Sequence, residues 1–292
     1  MADFRPGTPD QDAFRQELIA AGLLVESGVP GLYGRGFDFD DVMQRIERMV
    51  RHAAAAEHPV RLRFPPVLPR KQLEDLGYFN SFPQLAGVIH GFGGDDGTSE
   101  EPTDMALIPA ACYPVYPAIA AQGPLPPGGI TVDAGGAYVF RHEPAGDPAR
   151  MQMFHQREMV RLGEPETVAV WRDTWRDRAL ELLRGLQLDA DFAVAADPFF
   201  GRAGRMLRAN QLAEELKFEV QIQIAGDEPT AVASFNYHRD HFSTVYGLVM
   251  EDGGEAHTAC LGFGLERIAL ALFRTHGIDR AGWPAAVEEA LA

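Results

Sequence analysis

The chain has 292 residues, 46% of them hydrophobic, and sets 42 acidic side chains against 26 basic ones for a net charge of −16. That length buries one large core or two small ones, and that charge excludes broad nucleic-acid binding, which needs a basic surface to neutralise phosphates. No apolar run approaches the ~20 residues of a membrane span, and the opening MADFRPGTPDQDAF lacks the basic-then-apolar order of a secretory signal, so the expected compartment is the cytoplasm.

In chain order, Asp10 to Leu24 has Phe14 and Leu18 at helical spacing and ends at the turn GVPGLYGRG. A second helix, Phe39 to Ala56, has an aspartate cap and a stripe of Val42, Ile46, Met49 and Val50. Val60 to Phe64 reads as a short strand and Arg70 to Gly77 as a short helix. The acidic, glycine-rich Gly91 to Pro102 lacks apolar periodicity and is expected to be a mobile loop. Met105 to Tyr116 is apolar and contains Cys112, and a Pro/Gly connector leads to a strand at Ile130 to Asp133. Only one other cysteine exists, Cys260, which excludes a disulfide scaffold and leaves buried thiols, a single bridge or a metal site.

The organising stretch is Phe140 to Gly163, FRHEPAGDPARMQMFHQREMVRLG, read as strand, Gly/Pro turn and returning strand. Side chains two apart in a strand share a face, so Arg141 and Glu143 are expected to point together into a site that Arg150 and Glu158 also line. Guanidinium forks suit phosphate oxygens. A long helix, Glu166 to Leu188, follows, then a strand end near Ala193 to Ala195 and a helix from Gly201 to Glu215. Strands are expected at Phe218 to Ile224, Thr230 to Phe235 and Thr244 to Val249. The chain closes with AHTACLGFGLERIALALFRTHG, a strand and glycine turn opening a helix, and a short helix from Pro284. Strands joined by hairpin-length loops and flanked by helices indicate an antiparallel sheet of the α+β class.

Three separated segments together resemble a class II aminoacyl-tRNA synthetase core, most similar to the seryl branch. The helix Phe39 to Ala56 with RLRFPPVLPRKQLEDLG resembles its first motif, FRHE with RMQMFHQRE its second, and GFGLERIALALF its third. The resemblance implies a class II antiparallel sheet flanked by helices, with residues 1–38 as a short helical extension and 39–292 as the catalytic domain. It also implies a homodimer through the first-motif helix, whose stripe would otherwise face water. Adenylate formation requires in-line attack of a carboxylate on the α-phosphate of ATP, and Arg141 and Arg267 would stabilise the developing charge. Glu143 would accept from the adenine amino group, Arg150 would hold the β- or γ-phosphate, and Glu219 would bind Mg²⁺, a hard cation that favours carboxylates. The returning strand lacks the family's usual adenine-stacking aromatic, leaving Phe154, with Met151 or Met159, to face the base. Ala231 stands where a second acidic residue is expected.

About 38 residues precede the first motif, where seryl enzymes carry a long tRNA-binding arm, and no tRNA partner is expected. Within this fold Cys112, Glu158 and Cys260 converge on the amino-acid pocket. That set resembles the zinc site of the atypical archaeal seryl enzymes and of the bacterial amino acid:carrier-protein ligases. Two thiolates and a carboxylate leave one position of a tetrahedral Zn²⁺ open, one ion per subunit, which Glu158 helps offer to the substrate amine. The resemblance therefore implies activation of a small amino acid, glycine before alanine, and its transfer to the phosphopantetheine thiol of a carrier protein. The rivals are a tRNA-charging enzyme without its arm and a catalytically silent binding paralogue. The carrier is expected to dock on GRAGRMLRANQLAEELK, where Arg202, Arg205, Arg208 and Lys217 outnumber Glu214 and Glu215 by two.

Overall fold

Alternation along the strands decides the architecture. On consecutive paired strands, Phe218, Val220 and Ile222, then Ala233 and Phe235, then Leu261 and Phe263 all belong to one buried core, while the residues between them face the other side of the sheet. The computed structural model describes residues 4–93 and 97–292. It opens with α1 (Pro9–Ala20), β1 (Leu24–Glu26), β2 (Tyr33–Arg35) and α2 (Phe37–Ala53). Next come β3 (Val60–Arg61), β4 (Val67–Pro69), α3 (Arg70–Asp75), α4 (Tyr78–Ser81), β5 (Val88–Gly93), β6 (Ser99–Leu107) and α5 (Val115–Ala120). The central hairpin region holds β7 (Ile130–Asp133), β8 (Ala137–Phe140) and β9 (Met153–Gly163), followed by α6 (Pro165–Gly185), β10 (Ala190–Val194) and α7 (Gly201–Ala213). The last third comprises β11 (Lys217–Ile222), β12 (Thr230–Arg239), α8 (His241–Tyr246), β13 (His257–Gly264), α9 (Leu265–His276) and α10 (Ala285–Ala290).

The main sheet runs β10-β11-β12-β13-β9-β7-β3, with β8 also on β9. Every pair is antiparallel except β3 with β7. The eleven-residue β9 is long enough to take both β7 and β8 along one edge. The connection between those two depends on glycine: at Gly135 a side chain's first carbon would lie 2.3 Å from a terminal nitrogen of Arg157, and Gly136 has φ +76°. One face of the sheet packs under α2, α6 and α9 as the main core. The opposite face carries a second core under α5 and α8 that contains both cysteines.

Five expectations change in the structure. The Gly91 to Pro102 segment, apart from residues 94–96, which lie outside the described residues, belongs largely to the β5–β6 hairpin. Most of β6 is exposed, so no apolar alternation marked it, and backbone pairing alone carries it. Thr244 to Val249 is not a strand. Its β-branched residues are overridden by the stacking of Phe242 on Tyr116, 3.8 Å between centroids, and by a Thr244 N–H bond to the Asp240 carbonyl, which wind α8. Arg141 and Glu143 follow the end of β8: the Glu143 N–H bonds the Arg141 carbonyl at 2.8 Å, and this tight turn breaks the two-residue alternation. The α2 stripe does not face water, because Val42, Ile46 and Val50 are fully buried and Phe39 stacks on Phe273 of α9. That burial contributes roughly 1.5–3 kcal/mol per large aliphatic side chain and removes the stripe as an argument for pairing. Finally, Lys217 is not on the basic helix but is buried at the start of β11.

Among the described residues no helix is long and apolar enough to cross a membrane. Residues 4–38 share the main core through Phe14 and Leu18. They also brace the loop after β8, where Arg5 exchanges backbone bonds with Pro144 and Gly146 and the Gln152 amide donates to the Pro30 carbonyl.

Candidate active site

The sheet face opposite the main core bears two rows of side chains set by strand register. One row is Lys217, Asn236 and Cys260, and the next is Glu219, Ser234, Gly262 and Glu158. Gly262 is the gap in the second row, since a side chain there would begin 2.4 Å from the Gln156 amide nitrogen. A cavity of about 350 Å³ opens over these rows, lined by Cys112, Glu158, Cys260 and Arg141 among others.

Cys112, Glu158 and Cys260 bring their sulfur and oxygen atoms within 4.8 Å of one another, all three buried. Glu158 is oriented by the Cys112 backbone N–H, which donates to Oε2 at 2.7 Å. Burial raises the Glu158 carboxyl and the Cys112 thiol above their ordinary values, and the hydrogen bond between the thiols, with burial, raises Cys260 well above its own. Both cysteines are free thiols. Asn236 donates toward the Cys260 sulfur at 3.6 Å, and His238 lies 3.5 Å from it.

The donor set fits zinc: two sulfurs and a carboxylate oxygen within reach of a tetrahedron whose Zn–S bonds are about 2.3 Å, with the fourth side toward the cavity. It suits zinc better than magnesium or calcium, which favour oxygen ligands.

Arg141 lies on the cavity wall with its Nε buried and without a hydrogen-bond partner among the described residues, a donor open to an anion. The remaining candidates gather at the α9 end. Arg267 donates from Nε to the Ala149 carbonyl and from a terminal nitrogen to the Ala231 carbonyl, each at 2.8 Å, and its guanidinium lies 5.9 Å from the centroid of Phe154. Burial depresses the Arg267 guanidinium to about 10, helped by repulsion from Arg141 and Arg150 and opposed by Glu143 and Glu219. All four groups therefore act on the charge of Arg267. Arg150 is exposed, with Asp147 at 3.8 Å. Met151 and Met159 are buried in the main core, and Phe154 has its ring beside Arg267.

Arg202, Arg205 and Arg208 are exposed on α7 and form no ion pair with a described residue. The sequence reading missed the inner side of that helix: Leu207, Asn210 and Gln211 line the cavity, as do Asp197 and Lys217. The alternation in LKFEVQI already marks Lys217 as sharing a face with Glu219.

No protein-family profile matches the chain. Two proteins of Bradyrhizobium diazoefficiens, amino acid–[acyl-carrier-protein] ligases 1 and 2, are similar over nearly its whole length. The first is 41% identical over 304 residues, covering 98% of this chain and 92% of the relative, and the second is 43% identical over 290 residues, covering 94% and 86%. Among solved structures, M. kandleri SerRS in complex with A. aeolicus tRNASec superposes with a TM-score of 0.79 at 19% identity, over 95% of this chain and 60% of that one. The likeness to that structure shows the class II aminoacyl-tRNA synthetase fold.

Proposed function

The chain belongs to the amino acid–[acyl-carrier-protein] ligase family, and from that premise we propose how its residues divide the work of activating an amino acid and passing it to a carrier protein. The observation that carries the proposal is the cavity that Cys112, Glu158 and Cys260 line together with Arg141, whose Nε has no hydrogen-bond partner among the described residues. The three donors would hold Zn²⁺, which when bound would take the substrate's α-amino group as its fourth ligand and so select amino acids over other carboxylates. Glycine is our favoured substrate, with alanine second.

Arg141 draws the substrate carboxylate and the α-phosphate of ATP together. A carboxylate oxygen attacks the α-phosphorus, the bond to the β-phosphate oxygen breaks, and pyrophosphate leaves. Arg267 and Arg141 offset the charge that builds on the phosphoryl oxygens. Phe154 beneath Arg267 offers one wall for adenine, Glu143 an acceptor for its amino group, and Arg150 a cation for the outer phosphates. Glu219, which meets Lys217 through Oε1, is our candidate for Mg²⁺, which needs only one or two carboxylates when phosphates complete its shell. In the second step the carrier's phosphopantetheine thiol attacks the adenylate carbonyl, its proton passes to solvent, and AMP leaves with the bonding pair.

Amino-acid-dependent pyrophosphate exchange, followed by loading of phosphopantetheinylated carrier, tests this reading, and loading of tRNA with no loading of carrier would refute it. We also propose a homodimer, resting now on the exposed edge strand β3 and on the first-motif resemblance. A monomeric mass at micromolar concentration would refute that. The two free thiols suit a cytoplasmic setting.

A further inference from the structure

One buried ion pair on the cavity wall has no part in the steps above. Lys217 is 5% exposed, with Nζ 2.6 Å from Asp197 Oδ1 and 3.0 Å from Glu219 Oε1. Asp197 is clasped in turn by Gln211 of α7, its N–H donating to Oε1 at 2.7 Å and its Oδ2 accepting from Nε2 at 2.9 Å. A lysine stem is ordinarily flexible. Here its ammonium is held by two carboxylates, and swinging it aside would strand charge where water is scarce. The side chain is thus a fixed object in the cavity.

Its position gives that rigidity a use. Lys217 and Asn236 are opposite one another in register, as are Asn236 and Cys260, so a single strand, β12, separates Lys217 from a cysteine of the donor set. Asp197 lines the same cavity as Tyr113, His238 and the two cysteines. An amino acid with its amine at the Cys112, Glu158 and Cys260 end and its carboxylate at Arg141 has two of its three α-carbon directions fixed. Asn236, Lys217 and Asp197 are among the residues that line the rest of the cavity.

We propose that the Lys217–Asp197 pair, braced by Gln211, is the wall that limits the substrate side chain and so sets the preference for the smallest amino acids. The proposal rests on the reading of this cavity as the amino-acid site. A charged pair serves here better than a bulky apolar residue. It blocks by volume, and it also leaves an incoming aliphatic group facing polar atoms that it cannot satisfy.

The test is pyrophosphate exchange with glycine, L-alanine and L-serine on the zinc-loaded protein and three variants. Removing the wall in Lys217→Ala, or with less uncompensated charge in Lys217→Ala/Asp197→Asn, should raise the alanine-to-glycine ratio of kcat/KM by roughly tenfold, the scale of one added carbon in a pocket. Lys217→Arg keeps the charge, adds bulk and should lower the same ratio. Metal content is measured on each variant, and one that fails to fold leaves the other two to decide. Equal loss of exchange with all three amino acids, at an unchanged ratio in every folded variant, would overturn the wall and reduce the pair to a structural role. If the unaltered protein exchanges with none of them, the amino-acid reading of the cavity falls and the wall falls with it.

Discussion

The two ends of the active face solve opposite electrostatic problems. At the cysteine end, donors from β9, β13 and the segment before α5 are buried and close together, and burial raises the Glu158 carboxyl and the Cys112 thiol. At the α9 end, three arginines act together: Arg267 is depressed to about 10 by burial and by Arg141 and Arg150, and Arg141 Nε has no hydrogen-bond partner among the described residues. The first end gathers donors and suits a metal ion, whereas the second gathers guanidinium groups, one with an open donor, and suits an anion. The two ends should therefore fail separately when they are broken.

The largest effect is expected at the cysteine end. Cys112→Ser, Glu158→Ala or Cys260→Ser should each remove most of the bound zinc and reduce amino-acid-dependent exchange by orders of magnitude, since a two-ligand site holds the ion weakly. Elemental analysis that finds no zinc in the unaltered protein would end the comparison at its first term. Next comes Arg267→Ala, which should lower exchange by about 10²–10³, the usual cost of one preorganised charge-stabilising donor, while zinc content stays the same. Loss of zinc in that variant would show that the two ends are not separate.

The ends also differed in how much of them the sequence revealed. The cysteine end rests on three residues lying 46 and 102 positions apart along the chain, and nothing local connects them. They were legible only through the resemblance that supplied the fold. Glycine before Glu266 and Arg267, with an apolar helix after them, was local enough to read directly, and α9 follows it closely. The face shared by Arg141 and Glu143 was misjudged because a strand pattern was extended past Phe140 into a turn ending at Pro144, which has no N–H to continue a ladder. The α2 stripe was read correctly as apolar and wrongly as open, since periodicity marks a face that will be covered without naming what covers it.

A smaller effect concerns the wall between the ends. Burial works against the charge of Asp197, but Lys217 and Gln211 outweigh it and hold the carboxyl near 2. Because this value lies below the unfolded one of 3.8, the pair's stabilisation is present above about pH 4 and disappears as pH falls toward 2. The shift corresponds to about 2 kcal/mol. Asp197→Asn should therefore be less stable than the unaltered protein at pH 7 by an amount of that order, and the gap should narrow on acidification from pH 4 to 2. Denaturant titration at both pH values measures it, and a constant gap would mean that the carboxylate contributes through packing alone.

The smallest effect belongs to α7, the helix that joins the cavity to the surface. On its inner side Leu207, Asn210 and Gln211 line the cavity. On its outer side Arg202, Arg205 and Arg208 stand three apart, each about 60° round the helix from the next, and all are exposed. The loss of Lys217 from this patch leaves the three arginines as its core, and Glu214 is already paired with Arg239. In a chain of net charge −16, a local cationic face can orient an acidic carrier without attracting polyanions in general. Only Gly204 of α7 is buried, so reversing the outer charges removes little packing. Arg205→Glu/Arg208→Glu should slow transfer to the carrier by roughly tenfold at low salt and by less at 0.15 M, where charges a Debye length of about 8 Å apart are screened. Pyrophosphate exchange should be unaltered, because no atom of the first step meets these side chains. Equal loss of both steps would show that α7 matters through the cavity it covers, and the helix would then belong to the cysteine end rather than to the carrier.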